Sequence, residues 1–164
     1  MKYEKDIILK IDNELLGEIK KCVDKSFPNE ACGLIFGTIS EHKINKNENN
    51  FIYRYIGHKF ECIESSQKSP VAFIMNDYFN LIKMSDFYSK NYNYQLLSIF
   101  HSHPGGAYPS AIDIPYMESF HKSKTAKFKY LIWTIMDAKS KEFNGFIFIF
   151  GEIRQISVKF NKMR

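Results

Sequence analysis

Cysteine, arginine and long apolar runs are scarce in this sequence, and each shortage excludes a class of protein. The three cysteines, Cys22, Cys32 and Cys62, are odd in number and never occur as Cys-x-x-Cys. This pattern argues against a disulfide scaffold or an all-cysteine zinc site and favours a reducing compartment, so we predict a cytoplasmic protein. No run approaches the ~20 apolar residues of a membrane span, and the apolar stretch near the start is too short for a signal peptide.

The shortage of arginine argues against a nucleic-acid-binding protein. Only three of the 23 basic residues are arginines, although the net charge is +5. Specific nucleic-acid binding usually needs more arginine and a recognisable module, so we expect no nucleic-acid partner. The one local lysine cluster is HKSKTAKFK, residues 121–129. It is most simply a solvated loop, and a patch for an acidic partner is the alternative.

Apolar and aromatic residues are plentiful and predict a packed core. Hydrophobic residues make up 45% of the 164 residues, with 15 Phe and 10 Tyr. This length fits a single domain over residues 1–164, and no linker divides it. Helical and strand patterns mix without a regular βαβ alternation. We therefore predict an α+β fold, a three-layer α-β-α arrangement whose mixed, mostly antiparallel sheet is flanked by helices.

Periodicity predicts three helices and seven strands. Apolar residues at helical spacing, with Asp12 or Asn13 as the cap, predict a helix to about Ser26. A second helix is predicted over residues 78–91, capped by Asn76 or Asp77, and a short third one over residues 114–122. Strands are predicted at residues 31–37, 51–57, 71–75, 94–100, 130–136, 143–150 and 153–160, with a hairpin loop at 45–50.

The stretch FHSHPGGAYPSAID, residues 100–113, contains the candidate site. Side chains alternate along a strand, so His101 and His103 face the same way and Ser102 faces the opposite way. Two imidazoles on one face are a start for a zinc site. A bare His-x-His near a turn is nevertheless more often incidental, so its context has to decide between the two interpretations.

The Pro-Gly-Gly turn that follows the second histidine supplies that context. Glycine tolerates the backbone angles of a sharp reversal, and the reversal can return Asp113 to the histidines as a carboxylate ligand. Two histidines and one aspartate leave a fourth tetrahedral position open, which is typical of a catalytic zinc. Such a zinc activates water near neutral pH.

Zinc-assisted hydrolysis also requires a proton-transfer group and a donor for the oxyanion. Glu30 lies directly before the buried-strand pattern ACGLIFG. It is either a surface residue just outside the sheet or a cleft carboxylate that transfers protons. Ser110, three residues before Asp113, can donate its hydroxyl to the oxyanion. It can also cap the helix that follows, and the two roles are compatible.

Together these residues resemble the JAMM (JAB/MPN) zinc metalloproteases. The family joins a glutamate in a Cys-Gly-Leu strand to a later His-Ser-His-Pro and a Ser-x-x-Asp, as in NEACGLIFG (29–37) and HSHP…PSAID (101–113) here. The stretch SPVAFIMND (69–77) also resembles the segment before the family's central helix. The resemblance covers most of the chain and implies an MPN/JAB, cytidine-deaminase-like architecture. By position it implies one zinc per chain bound by His101, His103 and Asp113, with Glu30 as general acid/base and Ser110 stabilising the oxyanion.

The resemblance further implies a function. Family members cleave after the C-terminal glycine of a ubiquitin-like protein, so the expected partners are such a protein or its conjugates, with activating and conjugating enzymes of the same pathway. Processing of a sulfur-carrier protein is an alternative. Residues 57–70 and the lysine-rich stretch after Asp113 lie where family members vary their substrate contacts. Neither a nucleic acid nor a membrane is an expected partner.

One departure from the family pattern keeps a second class of function open. Nine residues separate His103 from Asp113, one fewer than is usual in the family. If the aspartate cannot reach the histidines, the fold becomes a metal-free scaffold that binds partner proteins. Cys32 falls at the family's cysteine position, where core packing is a better interpretation than a nucleophile.

Overall fold

The computed structural model describes residues 6–44, 51–63, 77–124, 128 and 130–161. The predicted loop at 45–50 and the predicted strand at 71–75 lie outside these ranges. In chain order the elements are β1 (Ile7–Asp12), α1 (Asn13–Ser26), β2 (Cys32–Lys43), β3 (Phe51–Ile63), α2 (Tyr78–Tyr92), β4 (Gln95–His103), α3 (Asp113–Lys124), β5 (Ile132–Asp137), β6 (Phe143–Ile149) and β7 (Glu152–Asn161). The other predicted helices and strands are therefore confirmed, with shifted ends.

The seven strands form one closed barrel in the order β1-β3-β2-β4-β5-β6-β7. The predicted three-layer α-β-α sandwich is therefore wrong. The physical reason is β1, which the sequence analysis did not assign as a strand. It pairs in parallel with both β3 and β7 and so joins the two ends of the sheet. Its buried residues, Ile7, Leu9 and Ile11, alternate with less buried ones as the strand period requires.

Polar side chains and backbone geometry fix the ends of the first two helices. The carboxylate of Asp12, one of the two predicted caps, accepts a hydrogen bond from the Leu15 N–H at 2.8 Å and caps α1. Asp77 precedes α2, but its carboxylate accepts from the Asn80 side chain instead of a backbone N–H. Asn93 ends α2 in the left-handed conformation, with φ of 56°.

No helix in the described ranges is long and apolar enough to cross a membrane.

Two hydrophobic clusters lie on opposite faces of the sheet. Ile35 belongs to the cluster that also contains the buried residues of α1, whereas its neighbour Leu34 belongs to the cluster that contains those of α2 and α3. Because successive strand residues point to opposite faces, this division follows β2 directly. Ile99 of β4 belongs to the second cluster, so His101 and His103, two and four residues further along the strand, share that face.

One disulfide bridge joins α1 to β3, although the odd number and wide spacing of the cysteines argued for a reducing compartment. Cys22 and Cys62 are bonded, with Cα atoms 5.9 Å apart. Cys32 remains a free, buried thiol, and burial raises its pKa to about 12. A thiol that stays protonated at neutral pH is a poor nucleophile. The interpretation of Cys32 as a packing residue is therefore supported.

His121, from the lysine-rich segment, lies in the core and not in a solvated loop. It is buried on α3, its Nε2 accepts a hydrogen bond from the Trp133 indole N–H at 2.9 Å, and its ring stacks on Phe148. Lys122, by contrast, is exposed and lies 4.0 Å from the Glu118 carboxylate. Burial lowers the pKa of His121 to about 4. The imidazole is therefore neutral in the folded protein at pH 7.

This buried histidine predicts a pH-dependent stability. An unfolded histidine titrates near pH ~6.5, so between pH ~6.5 and about 4 the unfolded chain binds a proton that the folded chain does not. The free energy of unfolding therefore decreases as the pH falls through this window, and the contribution of His121 to the decrease is about 3 kcal/mol in total. The measurement is the free energy of unfolding in urea at pH 7.5 and pH 4.5 for wild type and His121→Gln, whose amide oxygen can still accept from Trp133.

The free energy of unfolding should fall between pH 7.5 and pH 4.5 by about 2–3 kcal/mol less in His121→Gln than in the wild type. His42→Gln, which changes an exposed histidine, is the matched control and should follow the wild type. Parallel pH profiles for wild type and His121→Gln would contradict the prediction.

Candidate metal centre

The last residues of β4 bring both histidines to one face of the sheet. His101 is fully buried and His103 is nearly so. Their rings meet edge to face, with centroids 4.8 Å apart. Ser102 lies between them on the opposite face, as strand alternation predicts. In the ladders, His101 lies opposite Cys32 of β2, and His103 lies opposite Asp137 of β5.

Asp113 returns to the histidines in spite of the shorter loop. Its Oδ2 lies 3.2 Å from Nε2 of His101 and 3.0 Å from Nε2 of His103. The two Nε2 atoms are 3.1 Å apart. Three ligand atoms from two elements thus form a nearly equilateral triangle in the protein interior. The described residues contain this one group of at least three side chains that could hold a metal ion together.

The electrostatics of the triangle follow from burial and mutual hydrogen bonding. Burial alone would raise the pKa of Asp113, but hydrogen bonds from both histidines and from the Ser110 N–H hold it well below its usual range. The hydrogen bond to Asp113 raises the pKa of His103. Burial lowers the pKa of His101 and outweighs the attraction of Asp113. The carboxylate is therefore ionised, and His101 favours its neutral form.

These three atoms fit a tetrahedral divalent cation. A neutral imidazole offers a lone pair on one nitrogen, so unprotonated Nε2 atoms would point lone pairs at each other and at the carboxylate unless a cation lay between them. Zinc bonds of ~2.1 Å give tetrahedron edges of ~3.4 Å. The observed separations of 3.0–3.2 Å need only a slight expansion. Two imidazoles and one carboxylate are ligands that suit zinc.

Ser110 and Asp113 cap α3 reciprocally. The Ser110 Oγ accepts from the Asp113 N–H at 3.1 Å, and the Ser110 N–H donates to the Asp113 Oδ2 at 2.8 Å. The predicted capping role of Ser110 is therefore confirmed. The same bonds orient the carboxylate toward the histidines. The hydroxyl accepts in this cap, and its hydrogen remains able to donate elsewhere.

Glu30 lies half-buried at the rim of the triangle. Burial raises the pKa of its carboxyl; His103 opposes this shift and Asp113 adds to it. Of the two alternatives that the sequence left open, this half-buried position near His103 and Asp113 favours the cleft carboxylate. Its position is held through its neighbour, because the Ala31 N–H donates to the Ser102 Oγ at 2.8 Å and the Ser102 N–H donates to the Ala31 carbonyl at 3.0 Å.

Sequence reasoning missed the contribution of Ser102. Strand alternation predicts only that Ser102 lies on the opposite face, yet its side chain joins the histidine strand to the backbone beside Glu30. Ser102 is buried. Its two hydrogen bonds to Ala31 hold the backbone next to Glu30 against the end of β4, which carries both histidines. The only available signal was its place inside His-x-His, since its bonding partner is 71 residues away.

Comparisons with known proteins place these features in a family. The family model described as prokaryotic homologs of the JAB domain matches residues 12–144. Among solved structures, the solution structure of protein DSY2949 from Desulfitobacterium hafniense is similar, with a TM-score of 0.63 and 20% identity. The alignment covers 96% of this chain and 94% of that one, and at this identity it supports the fold. No curated protein matches significantly.

The family match spans most of the chain and includes every residue of the triangle as well as Glu30 and Ser110. It also agrees with the resemblance that the two sequence motifs indicated. The chain belongs to the prokaryotic JAB-domain family.

Proposed function

We propose that this protein is a zinc-dependent peptidase or isopeptidase that cleaves after the C-terminal glycine of a ubiquitin-like protein. The observation that carries this proposal is the buried triangle of His101, His103 and Asp113 with the Glu30 carboxyl at its rim. A structural zinc site usually has four protein ligands, whereas three protein ligands leave room for a reacting group. The JAB-domain match supports the same reaction class.

The protein's own groups divide the work of hydrolysis. The triangle would hold one zinc per chain, and this ion would act as a Lewis acid and lower the pKa of the reacting water. Glu30 takes a proton from the attacking water and returns it to the leaving nitrogen. Its raised pKa suits this role, because a general acid/base works best near the operating pH. The Ser110 hydroxyl donates to the developing oxyanion.

A strand edge that has no partner among the described residues supports an extended substrate tail. β1 pairs with β3 only as far as Ile56, whereas β2 pairs with β3 up to Ile63. Within the described residues, the 57–63 part of β3 therefore has a strand partner on one side only. It belongs to the segment 57–70 whose remainder lies outside the described ranges. A peptide can add to such an edge through main-chain hydrogen bonds.

The substrate experiment uses the last two residues of the tail. A peptide lying flat against the sheet beside a buried metal leaves little room for a Cβ, so both glycines should be required. Leucine at the penultimate position of a ubiquitin-like fusion should lower kcat/KM by ~10²-fold, about 3 kcal/mol of transition-state binding. The same substitution far from the scissile bond is the control. Equal rates for the two tails would rule out strand addition and point to another peptide or a small-molecule substrate.

The proposal extends to partners and compartment. Activating and conjugating enzymes of the same pathway are the expected partners besides the ubiquitin-like protein.

We retain the cytoplasm as the proposed location, although the Cys22–Cys62 bridge is a bond that reducing compartments rarely keep. Counting free thiols in protein purified under alkylating conditions decides this point: one free thiol favours an oxidising compartment, and three favour the cytoplasm.

A further inference from the structure

The hairpin formed by β5 and β6 lies directly against the loop that connects two of the metal ligands. β4 and β5 run parallel, with His103 opposite Asp137. The Ala138 N–H donates to the His103 carbonyl at 2.9 Å, which continues the ladder beyond the last histidine. The metal loop, residues 104–112, therefore begins where the hairpin turn begins.

The carboxylate of Asp137 ties the metal loop to the hairpin turn. Its Oδ2 accepts from the Gly106 N–H at 2.8 Å, and its Oδ1 accepts from the N–H groups of Lys139 and Ser140 at 2.8 and 3.2 Å. These bonds, the one from Gly106 first, lower the pKa of Asp137 to about 2. The group is ionised at neutral pH, so its bonds to three backbone donors are charge-assisted. Gly106 itself has φ of +87°, a conformation that glycine adopts readily.

Asn144 of β6 holds the next residue of the metal loop. Its Nδ2 donates to the Ala107 carbonyl at 3.1 Å, and its Oδ1 accepts from the Gln155 amide of β7 at 3.3 Å. Ala107 is fully buried. The β5–β6 hairpin thus fixes the start of the loop at three points, His103, Gly106 and Ala107, before the chain continues to Asp113.

We propose that Asp137 and Asn144 are positioning residues that hold the metal loop in its ligand-binding shape before the metal arrives. The inference rests on the proposed metal site and not on the proposed substrate. Without these two side chains, the loop would become ordered only when the metal binds. The free-energy cost of ordering it would then reduce the affinity for the metal. Loss of an outer partner of a metal site commonly weakens metal affinity by ~10–100-fold.

Asp137→Asn separates the bond that the carboxylate makes to the metal loop from the two bonds that it makes within the hairpin turn. The remaining amide oxygen can still accept from Lys139 and Ser140, whereas the new NH₂ group faces the N–H of Gly106, a donor against a donor. The affinity for Co²⁺ is measured by competition with a chromophoric chelator, and the visible absorption of the bound cobalt reports its coordination geometry. Asp137→Asn should bind cobalt ~10–100-fold more weakly and with an altered spectrum. Unfolding of the metal-free protein in urea shows whether the variant is folded before cobalt is added.

Asp24→Asn is the matched control. Asp24 forms an ion pair with Lys141 of the same hairpin, and neither residue bonds to the metal loop in a described contact. Asp24→Asn removes the same negative charge as Asp137→Asn, and this variant should keep the wild-type affinity for cobalt and the wild-type cobalt spectrum. Asn144→Ser, which loses the bond to Ala107, gives an independent measure should Asp137→Asn fold poorly, and it should also weaken cobalt binding.

The outcomes separate this inference from the metal site on which it rests. Wild-type protein that binds no cobalt refutes the metal site itself. Cobalt binding by wild type together with unchanged affinity and spectrum in both Asp137→Asn and Asn144→Ser refutes the positioning role. Weaker binding and a changed spectrum in either variant, with Asp24→Asn unchanged, supports it.

Discussion

Glu30→Gln should lower the cleavage rate by ~10²–10⁴-fold, the usual contribution of a positioned acid/base, while leaving the bound metal in place. Glutamine keeps the size and polarity of the side chain but cannot carry the proton from the attacking water to the leaving nitrogen. Glu30 is half-buried, and burial raises the pKa of its carboxyl.

The measurement combines single-turnover cleavage of a ubiquitin-like fusion with the metal content of the same preparation. Glu18→Gln, an exposed substitution on α1, is the control and should cleave like the wild type. Near-wild-type turnover in Glu30→Gln would show that another group transfers the proton. Loss of metal together with activity would instead mean that Glu30 is a ligand.

The site could be predicted from the sequence because its parts are local. Strand alternation alone places His101 and His103 on one face. The Ser-x-x-Asp spacing is that of a helix cap, and the reciprocal bonds between Ser110 and Asp113 follow from it. The role of Glu30 is different, because it depends on residues about 70 positions away in the sequence. The residues alone left two alternatives open there, and the charge interactions of Glu30 with His103 and Asp113 in the folded chain favour the cleft carboxylate.

Barrel closure could not be predicted with the same success because it depends on distant pairs. β1 has six residues and is hydrogen-bonded to β3 and β7, whose residues are far away in the sequence. The alternation of Ile7, Leu9 and Ile11 signals a strand, but it does not name the partner strands. The anchoring of the metal loop by Asp137 is equally invisible, since its partner Gly106 is 31 residues away and bonds through its backbone.

Asp113→Ala should remove the metal, in contrast to Glu30→Gln. It deletes one of three ligand atoms, and the loss should exceed the ~10–100-fold that an outer partner costs. Wild-type protein purified without chelator should hold about one zinc per chain, and the variant should hold less than about a tenth of that after dialysis against a weak chelator. Elemental analysis gives both values. The two variants therefore separate metal binding from proton transfer.

Alanine at this position also removes the acceptor for the Ser110 N–H, so a loss of zinc in Asp113→Ala alone could reflect a loosened start of α3. Asp113→Asn resolves this, because its amide oxygen can still cap the helix while the ligand charge is gone. Zinc should fall in both variants, and unfolding of the metal-free protein should be affected chiefly in Asp113→Ala. Retention of a full equivalent of zinc in both variants would exclude Asp113 as a ligand. Absence of zinc from the wild type as well, even after soaking, would favour the metal-free scaffold.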